Sequence, residues 1–185
     1  MNRVCVLLLV LLVCFSTAAQ SQTPKTAPQP NPELKKLQVL VGHWTVEGEY
    51  KPGPMGAGGK MTGDYTLQFI LKGFFLEEHG FETGAMGTGR YIEIEGYDPV
   101  SKSLTTDSFG DDGGRFAGTI TVSGNTITWE GKLAEAGKEY WVRNPITMSA
   151  DSMSAVSKAD ISTDGKTWVP FFEGKFTKTK PAPKK

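Results

Sequence analysis

Two pairs of residues carry the side chains most suited to acid–base or metal chemistry. Glu77 and His79 lie two positions apart, and so do Glu93 and Glu95. In a β-strand this spacing places both members of a pair on one face, where two carboxyl groups could serve as general acid and base. A metal site would need a third ligand, and the sequence indicates none. These four residues are the first candidates for a hydrolase or isomerase site in a barrel mouth. No sequence motif supports such an activity.

The direction in which the second pair points is open. The segment from Tyr91 to Tyr97 alternates isoleucines with the two glutamates. If Ile92 and Ile94 face the core, the glutamates are solvated. If the tyrosines and glutamates face inward, the interior contains a polar cavity. Buried carboxylates without partners are unfavourable, which favours the first arrangement.

The sequence gives little support for other metal, nucleophile or phosphate-binding sites. His43 and His79 show no metal-ligand spacing, and Asp111–Gly114 lacks the alternating acidic ligands of a calcium loop, so a hairpin turn is predicted there. The chain has no Gly-x-Ser-x-Gly elbow, and its glycine-rich segments lack the Gly-Lys-Ser or Gly-Lys-Thr ending of a phosphate loop. We therefore predict no catalytic residue, no metal ligand and no cofactor.

Aromatic residues recur at alternate positions through most of the chain after Gly42. Such period-two patterns predict half-buried strands whose aromatic side chains share an inward face. An eight-stranded barrel is just wide enough to be filled by side chains or to hold one small ligand. The predicted ligand-contacting interior residues are Trp44, Tyr65, Phe69, Phe116, Trp129 and Tyr140.

One short helix precedes these strands. Asn31 suits the N-cap, Pro32 the first helical position, and leucines recur at a helical spacing up to Leu40. Turn residues separate the alternating segments, and no second helix is long enough for a parallel crossover. The predicted fold is therefore all-β, a single antiparallel up-and-down barrel of about 8–10 strands. A closed barrel leaves no exposed sheet edges, and glycines within the strands fit the sharp bends of a small barrel. Both considerations favour the barrel over a sandwich.

Three motifs resemble a known family. The segments Leu40–Gly48, Glu95–Pro99 and Asp164–Trp168 are similar, in this order, to the bacterial domain-of-unknown-function family 1579, and Gly42-His43-Trp44 resembles the entry motif of lipocalin-like (calycin) barrels. This resemblance implies that Trp44 plugs one barrel end and that a basic residue packs across it. The candidates for that residue are Arg143, Lys175 and Lys178. Related barrels that bind haem use a late-strand histidine, and no histidine follows His79.

The two ends of the chain differ in composition from its centre. Residues 1–19 have the basic, apolar and small-residue regions of a signal peptide and hold both cysteines, so the exported protein is expected to have no disulfide. Residues 20–31 form a proline-rich leader, residues 32–179 the barrel domain and residues 180–185 a basic tail. We predict a secreted or periplasmic protein without stable membrane insertion after cleavage.

The charges further limit the function. The chain has 20 basic and 20 acidic residues without a basic stripe, which disfavours nucleic-acid binding. The leading hypothesis is a lipocalin-like barrel that binds a small hydrophobic or amphipathic molecule. The alternative is a structural or protein-interaction module of the cell envelope with a filled barrel.

Overall fold

The computed structural model describes residues 27–179, and these form one closed barrel of ten antiparallel strands. Each strand pairs with the next along the chain, and β1 pairs with β10 to close the sheet. The all-β, up-and-down barrel prediction is confirmed. The predicted signal peptide, most of the leader and the basic tail lie outside the described residues. Between residues 27 and 179, no helix is long and apolar enough to cross a membrane.

The ten strands are joined by tight turns and short loops, in keeping with the turn residues of the sequence. Their bounds are β1 Gly42–Tyr50, β2 Gly59–Ile70, β3 Phe75–Gly84, β4 Gly87–Asp98, β5 Ser103–Gly110, β6 Arg115–Ser123, β7 Thr126–Glu135, β8 Lys138–Met148, β9 Ser154–Ser162 and β10 Val169–Thr179.

The N-terminal helix (Pro32–Leu40) is of the 3₁₀ type. Asn31 caps it, because its side-chain oxygen accepts a hydrogen bond from the Glu33 backbone N–H at 2.9 Å. A 3₁₀ helix has three residues per turn, so side chains three positions apart lie above one another. Leu34, Leu37 and Leu40 therefore form one edge, and all three are buried against the barrel.

Trp44 closes the barrel end next to this helix. Its side chain is buried, with 4% of the residue exposed, and its Nε1–H donates to the Leu40 carbonyl at 2.7 Å. Lys178, which pairs with Trp44 across β1 and β10, lies over the ring with Nζ 5.0 Å from its centroid. Lys178 is thus the basic partner among the three candidates, whereas Arg143 lies over Trp168.

A register shift in β10 changes which aromatic residues face inward. The pairing of β10 with β9 is interrupted between Pro170 and Phe172. Strict alternation would turn Phe171 outward, but the ring centroids of Phe171 and Phe172 both lie 5.2 Å from that of Tyr50. The irregularity adds one aromatic side chain to the interior that period-two reasoning assigns to the outside.

Candidate functional site

The barrel interior contains a cavity of about 260 Å³. A second space of about 320 Å³, the vestibule, lies at the end opposite Trp44, where the strand-connecting turns bring Met55, Met86 and Asp112 together. Tyr50, Glu82 and other side chains line both spaces. The cavity therefore adjoins the vestibule at the open end of the barrel.

Four glutamates on β3 and β4 form the polar side of the interior, which we call the acidic wall: Glu78, Glu82, Glu93 and Glu95. Glu78, Glu82 and Glu93 line the cavity, and Glu95 is completely buried behind it. Ile92, in contrast, is 42% exposed on the outer face. The favoured expectation of solvated glutamates was wrong, since β4 turns its glutamates inward.

The strand register explains how the acidic wall fits inside. Glu78 pairs directly with Glu93, and Gly80 pairs with Tyr91. A Cβ atom at Gly80 would lie 2.3 Å from the Tyr91 ring, so the glycine makes room for the tyrosine on the inner face. Gly63 on β2 likewise leaves space for the Tyr65 hydroxyl, which a Cβ atom there would approach to 2.9 Å.

Every carboxyl group of the acidic wall accepts a hydrogen bond from an uncharged side chain. Tyr50 and Tyr65 each donate a hydroxyl to a different oxygen of Glu82, both at 2.8 Å. Tyr91 donates its hydroxyl to Glu78. The other two donors lie deeper: Thr106 donates to Glu93 at 2.8 Å, and the Trp129 indole N–H donates to Glu95 Oε1 at 3.1 Å.

Burial makes Glu78, Glu93 and Glu95 hard to ionise. Desolvation, followed by the charge of Glu93, raises the pKa of Glu78 to about 8. Desolvation also raises the pKa of Glu93, and desolvation together with Glu93 and Glu78 raises the pKa of Glu95 well above its usual range. Like charges opposite each other in a sheet repel, which adds to the preference of Glu78 for its protonated form.

Most of the remaining cavity surface is apolar or aromatic, with Ser108 and Asn144 as further polar residues. The Tyr65 ring lies 6.1 Å from Tyr91 and 5.9 Å from Phe176, centroid to centroid. Aliphatic side chains from β8 and β9, including Ile146 and Ala155, cover the opposite side. The site therefore combines a side rich in hydrogen-bonding groups with a largely apolar side, which suits an amphipathic molecule.

Four of the six interior residues predicted from the sequence line the cavity: Trp44, Tyr65, Phe116 and Trp129. Phe69 is half-buried and packs against the main core without reaching the cavity surface. Tyr140 belongs to a second cluster with Val142 and Ile161. Contact of these residues with a ligand stays a prediction.

The candidates for metal chemistry point away from the cavity. His79 lies on the outer face and pairs with Glu77, Nε2 to Oε2, at 3.4 Å, and His43 pairs with Asp64 at 3.4 Å as well. Asp112 accepts a hydrogen bond from the Gly114 backbone N–H within the predicted turn. Within residues 27–179, no group of three or more His, Cys, Asp or Glu side chains has the arrangement of a metal site.

Comparison with protein families identifies the relationship. A family model described as "Protein of unknown function (DUF1579)" matches residues 29–178. The chain belongs to the DUF1579 family. The match covers nearly all of the barrel, so the resemblance inferred from the three sequence motifs is confirmed. Among curated proteins, no match to this DUF1579 chain was found.

A solved structure shares the fold of this DUF1579 barrel. The crystal structure of Rv2717c from M. tuberculosis aligns with a TM-score of 0.58 and 16% identity, covering 82% of this chain and 100% of the other. A fluorescence-activating β-barrel designed de novo aligns with a TM-score of 0.40 and 13% identity, covering 77% of this chain and 95% of its own. The first likeness shows a common fold at low sequence identity, and the second supports no conclusion.

Proposed function

We propose that this DUF1579 barrel is an exported binding protein that holds one small amphipathic molecule in its interior. The observation that supports this proposal best is the division of the cavity surface. Glu78, Glu82 and Glu93 lie on one side with their tyrosine and threonine partners, and most of the remaining lining is apolar or aromatic. Ligand pockets commonly combine apolar walls with a few convergent polar groups in this way.

The size of the cavity favours a small occupant. Its volume of about 260 Å³ is slightly below the roughly 300–1,000 Å³ usual for small-molecule pockets. An apolar protein cavity of about 150 Å³ accepts benzene. A single aromatic ring with a short polar substituent therefore matches the available space, and the vestibule offers a path for its entry.

Export is the second part of the proposal, and it rests on residues 1–19, which have the composition of a signal peptide. The expected mature protein begins at Gln20. Intact mass measurement of the protein recovered from the periplasm or medium tests this start. A full-length chain found only in the cytoplasm would contradict export without affecting the binding proposal.

Native mass spectrometry of the purified protein tests binding directly. We expect a population that carries one additional small-molecule mass, which is lost on denaturation. Replacing Ala159, a buried cavity-lining residue, with Phe should fill the space and remove that mass. Val156→Phe, on the exposed outer face of the same strand, is the matched control. The proposal fails if the protein carries no ligand and also binds none of the small aromatic probes described below.

An acid–base enzyme is a second candidate, favoured by Glu78, whose pKa burial raises to about 8. A carboxyl group that titrates near neutral pH is suited to proton transfer. The two functions differ in the fate of the bound molecule. A binding protein returns it unchanged on denaturation, whereas an enzyme converts it in a reaction that Glu78→Gln should abolish.

A further inference from the structure

We propose that the acidic wall recognises a cation, so that the ligand is a small aromatic or otherwise apolar amine bound through its ammonium group. This inference rests on the proposed function, because it names the chemical class of the molecule in the same cavity. The ammonium would lie against Glu78, Glu82 and Glu93, the three carboxyl groups exposed to the cavity. The apolar body would pack against the aromatic and aliphatic sides.

The charge balance of the interior is the first argument. Among the described residues that line the cavity, none is a lysine, arginine or histidine. Arg90 and Arg115 line the vestibule, but their guanidinium groups lie over Phe81 and Phe109 on the outer surface. The acidic wall therefore has no cationic partner within residues 27–179. A bound ammonium would supply the missing positive charge, whereas an anionic ligand would be repelled.

The hydrogen-bond balance is the second argument. Glu95 Oε2 is the one buried side-chain oxygen or nitrogen in the described part of the chain that has no hydrogen-bond partner. Its carboxyl group is completely buried, points into the barrel and is near enough to Glu93 and Glu78 for their charges to affect its pKa. The wall thus includes a buried oxygen that no donor of the described residues reaches. An ammonium group has three donors and no acceptor, so it would bring donors to this side of the interior.

The aromatic rings are the third argument. Tyr65 is in contact with both Tyr91 and Phe176, and Tyr50 packs against Phe172. The faces of such rings attract cations, and the attraction is stronger where water is excluded. Carboxyl groups surrounded by aromatic rings therefore favour a cation of low hydration, such as an ammonium attached to an apolar body.

Glu78 holds a proton when no ligand is bound. The titratable groups facing Glu78 are Glu82 on its own strand, Glu93, Glu95 and Tyr91 on β4, and Tyr65 on β2. Burial raises the pKa of Glu78 to about 8, so this carboxyl group is largely protonated at pH 7. A bound ammonium favours the carboxylate form, and its binding should release a proton to the solvent.

Three aromatic probes of similar size but different head-group charge test the inference: 2-phenylethylamine, 2-phenylethanol and 3-phenylpropanoate. Isothermal titration calorimetry of the purified protein at pH 7 should give a dissociation constant for the amine at least about tenfold lower than for the alcohol. The carboxylate should show no binding. Titrations of the amine in two buffers of different ionisation enthalpy should show net proton release.

Glutamine variants locate the effect. Glu78→Gln combined with Glu93→Gln should reduce the preference for amine over alcohol by about tenfold or more. Glu77→Gln alters the outward-facing neighbour and should leave the preference intact. Circular dichroism and a cooperative urea unfolding transition together establish that the double variant is folded.

The outcomes separate the inference from the proposed function. If the alcohol binds as tightly as the amine, or if the amine binds without proton release, recognition of a cation is overturned while small-molecule binding stands. If none of the three probes binds and no ligand accompanies the purified protein, the proposed function itself is wrong.

Discussion

The closed end of the barrel and the acidic wall both bring charged groups against aromatic rings, but only the closed end compensates the charge. At the closed end, Lys178 Nζ lies over Trp44 and also donates to the Val39 carbonyl at 2.9 Å, while part of its side chain stays in contact with solvent. At the acidic wall, the carboxyl groups have only neutral donors, and Glu95 Oε2 has none.

This difference separates a contact that supports the fold from one that suits a ligand. Folding alone brings Lys178, Trp44 and the N-terminal helix into mutually favourable positions. The acidic wall places Glu78 directly opposite Glu93, an arrangement that lowers stability unless protons or a cation are bound. Locally unfavourable arrangements of this kind are expected where function requires them.

The largest effect we predict is at the closed end. Trp44→Ala should lower the free energy of unfolding by about 3–5 kcal/mol, because it removes a buried ring and leaves a cavity. Denaturation in urea measures the loss. Trp168→Ala is the control, since Trp168 is half-exposed and lies under Arg143 outside the core. Equal losses in the two variants would show that Trp44 does not close the barrel.

The acidic wall should make stability depend on pH. The native pKa of Glu78, about 8, lies above that of the unfolded chain, so native Glu78 binds a proton that unfolded Glu78 has lost. This contribution is most favourable below the unfolded pKa and is lost as the pH rises through about 8, with a slope of at most about 1.4 kcal/mol per pH unit for one proton.

Glu78→Gln should therefore flatten the decline in unfolding free energy between pH 5 and 9 and make the protein more stable than the wild type at pH 9. Urea denaturation at several pH values measures both changes. The outward-facing Glu77→Gln serves as the control for a general change in net charge. Parallel curves for the wild type and Glu78→Gln would mean that folding does not raise the pKa of Glu78.

The fold could be predicted because its main signal is local. Alternation along a strand requires no knowledge of the other strands, and turn residues mark where each strand ends. The caps and leucine spacing of the Pro32–Leu40 helix are local in the same sense. The pairing of β1 with β10, which closes the barrel, is not local. A meander of this length nevertheless leaves two edge strands, whose free backbone groups can hydrogen-bond to each other.

The acidic wall could not be predicted because its stability depends on partners from other strands. The argument against buried carboxyl groups assumed that they would be unpaired, whereas the fold supplies hydroxyl donors from Tyr65 on β2 and Thr106 on β5. One local signal was available. Tyr91 and Tyr97 alternate in phase with Glu93 and Glu95, so the four residues must share one face, whichever face it is.

Phe171 was missed for a different reason. Its inward position depends on the interruption of pairing between β9 and β10 near Pro170, and period-two reasoning assumes that no such shift occurs. A proline inside a strand is itself a sign of irregular pairing. That signal could have shown that the phase of β10 changes there, but not that both phenylalanines would turn inward.

The smallest effect we predict concerns the cation at the closed end. Lys178→Met keeps an apolar stem against Trp44 but removes the charge over its ring and the hydrogen bond to the Val39 carbonyl. We expect a loss of about 0.5–2 kcal/mol in the free energy of unfolding. Lys175→Met, on the exposed face of the same strand, should stay within about 0.5 kcal/mol of the wild type.

Urea denaturation of the two methionine variants also tests the contrast between the two regions. A loss confined to Lys178→Met would show that the closed end depends on a charge whose partners the chain itself provides. Equal behaviour of the two variants would mean that Trp44 and the leucine edge of the helix hold this end without help from the cation. The basic residue would then resemble the acidic wall, as a charge that the fold tolerates without using it for stability.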